Sequence, residues 1–235
     1  MDKILYNGEV YTLDKKGTKS EAIGIKEGKI EAIGSSDDIL KLKNENTELI
    51  DLKGKMVTPG FIDSHMHLIS YGYALSKVAL ADCKSIGEML NKGMEFIKEG
   101  DFNKGDWIQG RGWNHDYFQE KRLPDRHDLD KISTEHPICF VRACGHIAVV
   151  NTRALEEADI YENPKQPAGG HIDVDDNGKP TGVIRENALE MIYSIIPDPD
   201  LNKVKEMITN CVDDAVEQGI TSIHTDDFEQ LPSKD

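Results

Sequence analysis

His65 and His67 stand two residues apart at the end of the run Phe61-Ile62-Asp63-Ser64-His65-Met66-His67. On a β-strand, residues i and i+2 face the same side. Both imidazoles can therefore reach one cation, and neutral imidazole is a preferred nitrogen ligand of zinc and other late first-row metals. Asp63 lies two residues earlier on the same face, where a carboxylate can orient a ligand histidine from behind. Spacing alone is a weak signal, because the chain holds eight histidines and one His-x-His pair is no surprise among them. Two ordinary strand histidines remain the competing reading at this stage.

The elements that must position this pair are legible on both sides of it. Residues 1–58 read as short strands and tight turns. Asn7-Gly8 separates Ile4-Leu5-Tyr6 from Val10-Tyr11-Thr12-Leu13 and predicts a two-residue hairpin, and Glu27-Gly28 predicts a second turn. Phe61 to His67 reads as a buried strand. Ser85-Ile86-Gly87-Glu88 has the form of a capping box opening an amphipathic helix that closes at Gly100. Asn177-Gly178 predicts a hairpin between His171–Val174 and Thr181–Ile184. Asp200 caps a long amphipathic helix that ends at Gly219 and feeds the strand Ile220–His224. A helix running straight into a strand is α/β grammar.

Composition narrows the function classes. The chain has 235 residues, with 28 Lys+Arg against 43 Asp+Glu, a formal net charge of −15. That balance argues against nucleic acid or an anionic membrane surface as partner, since both need clustered basic residues. The N-terminus has no basic flank followed by an apolar stretch, and no run approaches the length of a membrane span. Cys83, Cys139, Cys144 and Cys211 show no Cys-x-x-Cys spacing and read as free thiols of a cytoplasmic protein. His115, His127 and His136 fall in polar loops and are expected to be solvated, as are Asp226 and Asp227.

Thr58-Pro59-Gly60-Phe61-Ile62-Asp63-Ser64-His65-Met66-His67, after a β-rich leader, resembles the start of the amidohydrolase superfamily. Further segments resemble one branch, amidohydrolase family 3, which includes N-substituted formamide deformylases. They are Gly110–Asn114, Arg142–Asn151, Gly169–Ile172, Gly178–Ala188 and Gly219–His224, in family order over essentially the whole chain. The resemblance implies an α/β protein. Residues 1–58 would be the N-terminal part of a composite β-sandwich, and 59–235 the start of a metal-dependent hydrolase (β/α)8 (TIM) barrel with a large α+β insertion. Barrel strand 1 would fall near 59–68, the insertion near 69–200, and a helix and strand 2 near 200–224.

The same resemblance implies hydrolysis of a non-peptide C–N bond, in an amide, formamide or cyclic amide, by metal-activated water. His65 and His67 would hold a divalent metal, zinc first, with manganese or iron as the other candidates, and Asp63 would support them. Glu186 falls in a family motif and would serve as a catalytic carboxylate, against the plain reading of a helix-start glutamate favoured by the helix dipole. His146, Trp113, Arg142 and His224 become substrate-pocket candidates. Their plain readings are a hydrogen-bonded core histidine, a core tryptophan, an arginine paired with one of many carboxylates, and an ordinary strand-end histidine.

The family completes its metal site on later barrel strands, with a carboxylated lysine or glutamate, two histidines and an aspartate base. This chain ends after what resembles strand 2. Two neutral histidines alone bind a divalent metal weakly and place no base. The alternative expectation is therefore a truncated, non-catalytic portion of such an enzyme. A small-molecule substrate is the expected partner. Strand edges left open predict a homo-oligomer or edge association.

Overall fold

The computed structural model describes residues 1–162 and 164–227. Its described residues divide into two units: residues 1–66 with 215–224, and residues 67–214 with 225–227.

The first unit runs through β1 (Lys3–Tyr6), β2 (Glu9–Tyr11), β3 (Lys19–Ser20), β4 (Ala22–Lys26), β5 (Lys29–Gly34), the short helix α1 (Ser36–Leu40), β6 (Glu48–Asp51), β7 (Met56–Val57) and β8 (Phe61–Met66). They form a four-stranded sheet in the order β5-β4-β1-β6 and a three-stranded sheet in the order β3-β2-β7. Ile4, Ala22 and Ile39 form its small core. The Glu27-Gly28 turn joins β4 to β5 as predicted, with Lys26 opposite Lys29 and both turn residues at positive φ. The Asn7-Gly8 prediction fails. β1 pairs with β4 and β6, whereas β2 pairs with β3 and β7, so the two flanking strands belong to different sheets. Gly8 is glycine for want of space: a Cβ there would meet Leu52 Cδ1 at 2.4 Å and the Lys55 carbonyl at 2.8 Å.

The second unit runs through α2 (Leu68–Leu75), β9 (Val78–Ala79), α3 (Ile86–Glu99), β10 (Ile108–Trp113), α4 (Arg126–Asp130), β11 (Ile138–Arg142), β12 (Ile147–Val150), α5 (Thr152–Glu157), β13 (Gly170–Val174), β14 (Pro180–Glu186), α6 (Glu190–Tyr193) and most of α7 (Leu201–Glu217). β15 (Ile220–Thr225) follows α7. Six strands form one mixed sheet in the order β13-β14-β12-β11-β10-β9. Strand alternation divides β11 between two cores. Ile138 and Phe140 join Met89 and Leu129 on one face, and Cys139 joins Leu155, Ile184 and Ile192 on the other. The predicted Asn177-Gly178 hairpin is present, with β13 antiparallel to β14. Asp200 accepts the Lys203 amide at the start of α7 through its side chain, at 2.8 Å. Ser85 accepts the Glu88 amide at the start of α3, but Glu88 bonds the Lys84 amide, so the box is not reciprocal.

These sheets give an α/β chain in which small mixed sheets precede a larger inserted one. No closed barrel forms among the described residues. β8 pairs with β15 in a two-stranded sheet. For that reason the expectation of a buried strand at 61–67 is wrong. Phe61 and Ile62 are each 65% exposed, because β15 covers one edge and no other described strand flanks β8. Two polar residues expected in solvent are buried instead. His136 is held by its Nδ1 against the Asp106 carbonyl at 3.0 Å, and Asp227 is only 6% exposed. No described helix is long and apolar enough to cross a membrane.

Candidate active site

β8 ends at Met66, and His67 is the residue from which α2 departs, with φ −104° and ψ 85°. Its ring Nδ1 lies 3.2 Å from the Asp226 carbonyl oxygen. A carbonyl only accepts, so Nδ1 carries the proton and donates it there. The second nitrogen, Nε2, is then the basic one, as a metal-ligating histidine requires. The last residue of β15 and the segment after it also satisfy the first amides of α2. Thr225 Oγ1 accepts from the Leu68 amide at 3.2 Å, Asp227 Oδ2 accepts from the Ile69 amide at 3.1 Å, and Thr225 Oγ1 donates to Asp227 Oδ2. Those amides would otherwise lack intrahelical partners. Asp227 Oδ1 is buried with no hydrogen-bond partner among the described residues.

His65 is exposed on β8, and its backbone N–H donates to Asp63 Oδ1 at 3.0 Å. Asp63 thus fixes the strand beside His65 through the main chain. His224 is exposed on β15. Among the described residues no three His, Cys, Asp or Glu side chains gather into a metal-binding group.

A second constellation forms where β11, β12 and β14 meet. His146 Nδ1 and Glu186 Oε2 are 3.0 Å apart, and the Glu186 amide donates to the His146 carbonyl at 2.9 Å. The fold therefore brings together two residues that are forty positions apart in the chain. Glu186 sits at φ 51°, ψ −132°, a conformation that glycine adopts readily and a residue with a Cβ does not. Strain of this kind persists only where surrounding structure enforces it, commonly at functional sites. Glu186→Gly should therefore raise stability by about 1 kcal/mol, read as a higher urea midpoint, while Glu186→Ala should not. Equal midpoints for the two variants would show that the backbone stores no strain there.

Arg142 does what a paired arginine does. Its Nη2 donates to Asn114 Oδ1 at 2.7 Å and Asp116 Oδ2 at 2.8 Å, and its Nε to His115 Nδ1 at 3.3 Å. Trp113 is fully buried, its indole N–H donating to the Phe140 carbonyl at 2.8 Å and its ring stacked near Phe118. That is the core role, and no surface of it is left to line a pocket.

Two residues outside the sequence expectations join the picture. Cys144 lies between Arg142 and His146 and accepts the His146 amide on its sulfur at 3.4 Å. Burial would raise its thiol, but the Arg142 hydrogen bond and the neighbouring amides outweigh it and hold the thiol below its ordinary value. The signal was Arg-x-Cys-x-His, alternate residues on one short stretch. Lys77, just past α2, has its ammonium 3.7 Å from the Tyr73 ring centroid. A lone lysine after a helix carries no sequence signal of that burial.

Comparison with known proteins places these residues in a family context. Residues 48–233 match the model of an amidohydrolase family. A Bacillus subtilis (strain 168) protein described as "Putative amidohydrolase YtcJ" is 34% identical over 97% of this chain and 43% of its own length. The N-substituted formamide deformylase of Arthrobacter pascens is 28% identical over 94% of this chain and 42% of its own length. Among solved structures, an uncharacterized metal-dependent hydrolase from Pyrococcus furiosus superposes with a TM-score of 0.65 at 30% identity, over 95% of this chain and 44% of the other. The chain thus spans less than half the length of these relatives.

Proposed function

Since this chain belongs to the amidohydrolase family, we propose that it carries the opening portion of a metal-dependent hydrolase acting on a non-peptide C–N bond. The substrate class is an amide, formamide or cyclic amide. His65 and His67 hold a divalent metal, zinc first and manganese or iron as alternatives. The observation that carries this reading is the His67 ring, whose Nδ1–H points to the Asp226 carbonyl and leaves Nε2 as the basic nitrogen. That donor chemistry fits a metal.

When bound, a divalent metal acts as a Lewis acid toward a carbonyl oxygen and brings the pKa of a water toward neutrality. The chain's own residues act around it. Asp63 holds the His65 main chain, and Asp226 holds the His67 tautomer. Glu186 and His146 form a carboxylate–imidazole pair able to take and return a proton at the leaving nitrogen. His224 lines the substrate side in this reading. Arg142, the further substrate-binding candidate, orders the 114–116 loop of the second unit.

A second reading concerns the chain by itself and is favoured by its ligand count. A catalytic zinc site takes three protein ligands and a structural one four. The described residues offer the His65-x-His67 pair and no group of three. We therefore expect the 235-residue chain alone to bind metal weakly and to turn over nothing, with the remaining ligands coming from outside the described residues. Both parts are tested on the purified chain, by metal analysis and an amide and formamide panel with and without chelator. The expected result is sub-stoichiometric metal and no turnover. Chelator-sensitive hydrolysis by the chain alone would overturn the second reading. If the chain joined to sequence completing the length of its relatives still held no metal, the first would fall.

A further inference from the structure

Lys77 is, among the described residues, a lysine with surroundings unlike those of a surface amine: it is largely buried and stands over an aromatic ring. It lines an open cleft of about 1050 Å³ in the second unit, together with Tyr73, Gln109 and Trp107. Its Nζ stands over the Tyr73 ring, and the Tyr73 hydroxyl is tied to the Gln109 side-chain amide at 3.0 Å. No carboxylate forms an ion pair with it among the described residues. The groups that act on its charge are Arg111 on β10 and Cys139 on β11, with Tyr193 on α6 beside those two, while carboxylates and Lys203 line the rest of the cleft. Arg111 repels a second cation. Cys139 is a neutral thiol, its burial pushing it up to about 12, and Tyr193 is likewise pushed up to about 12 by burial. Burial first, and then Arg111, bring the Lys77 ammonium down to about 8, against 10.5 for a solvated lysine. The sign is fixed by desolvation, which penalises the charged form of a lysine.

We propose that this cleft is a ligand site at which the Lys77 amine captures a small, neutral aldehyde as a reversible imine. The cleft's charges set the class. Glu99, Asp101, Asp106, Asp198, Asp200 and Glu206 line it against Lys77 and Lys203, which disfavours an anionic aldehyde. Tyr73 and Trp107 supply aromatic faces for a flat neutral one. In the reaction, the Nζ lone pair forms a bond to the aldehyde carbon while the carbonyl electron pair moves to oxygen. That oxygen gains the proton the nitrogen loses. Water then leaves from the carbinolamine, and the C=N bond forms with no change of oxidation state. The site uses none of the groups assigned to metal or substrate above, so it stands or falls separately from them.

The test is reductive trapping of the purified chain with benzaldehyde and cyanoborohydride, read lysine by lysine by peptide mass spectrometry. At pH 7.5 an amine of pKa about 8 is roughly a quarter neutral, against about 0.1% for one near 10.5. Lower basicity takes back part of that gain, and about tenfold faster labelling of Lys77 than of the exposed lysines is expected. Because cyanoborohydride reduces only the protonated imine, the readout at each pH is the ratio of Lys77 to exposed-lysine labelling, which should shrink between about pH 8 and pH 10 as the exposed amines lose their protons. Glyoxylate, the anionic probe, should show a smaller preference, and urea should abolish the preference for both. Labelling of Lys77 no faster than the exposed lysines at pH 7.5, or a ratio unchanged up to pH 10, overturns the proposal. A preference for glyoxylate equal to that for benzaldehyde overturns the assigned ligand class.

Discussion

Trp113→Ala should destabilise the inserted sheet by about 4 kcal/mol, within the usual range for deleting a fully buried tryptophan. The indole has no exposed surface and lies at the end of β10, packed near Phe118 in the core that covers one face of the sheet. Two losses add. The first is the transfer energy of the ring and the cavity it leaves in a core shared with Phe118, Phe140 and Met89. The second is the Phe140 carbonyl, which accepts the indole N–H at 2.8 Å from within the central strand β11. Trp113→Phe separates them. It keeps most of the packing and loses the hydrogen bond, at a cost of about 1–2 kcal/mol. Urea denaturation followed by far-UV circular dichroism measures both variants. A Trp113→Ala loss under about 1 kcal/mol would show that the ring is not a structural anchor.

How much of this was readable beforehand depends on whether a residue's reason is local. Glu27-Gly28 and Asn177-Gly178 are legible because their causes are local: both residues of the first take positive φ, and in the second Gly178 does so while Asp175 accepts the Asn177 and Lys179 amides. Asn7-Gly8 has the same spelling and a different cause. Its glycine is demanded by Leu52 and Lys55, more than forty residues away, which no window around the turn contains. Apolar strand residues such as Phe61 and Ile62 normally lie buried, yet burial also needs a second layer, and the described residues provide one neighbouring strand. The reverse error befell His136 and Asp227. Polar surroundings in sequence suggested solvent, while the Asp106 carbonyl and the α2 amides make their burial affordable by hydrogen bonding. At the site, His65-x-His67 was legible as a ligand pair from spacing and motif. The His146–Glu186 contact was not, because strand pairing between β12 and β14 creates it. The backbone strain at Glu186 left no trace in its residue type.

The largest functional effect should come from His67, and its supports should fail in a graded way. His67→Ala and His65→Ala each remove one of the two nitrogen ligands offered by the chain, so zinc binding measured by equilibrium dialysis should fall below detection in either. Asp227→Ala leaves both rings intact. It removes the acceptor of the Ile69 amide and the partner of Thr225, and so should cost about 1 kcal/mol of stability, as loss of a helix-start cap does. The same change frees the segment carrying the Asp226 carbonyl, which sets the His67 tautomer. Zinc affinity should therefore weaken about 10-fold or more, the usual effect of losing a group that orients a ligand histidine. Asp227→Asn keeps an oxygen able to accept the Ile69 amide and should recover most of both losses. This ordering separates a positioned ligand from an accidental one. If His67→Ala abolishes zinc binding while Asp227→Ala leaves affinity unchanged, His67 binds metal without help from the segment after β15. If neither histidine variant changes zinc binding, the metal belongs elsewhere on the chain and the catalytic reading of the pair is lost with it.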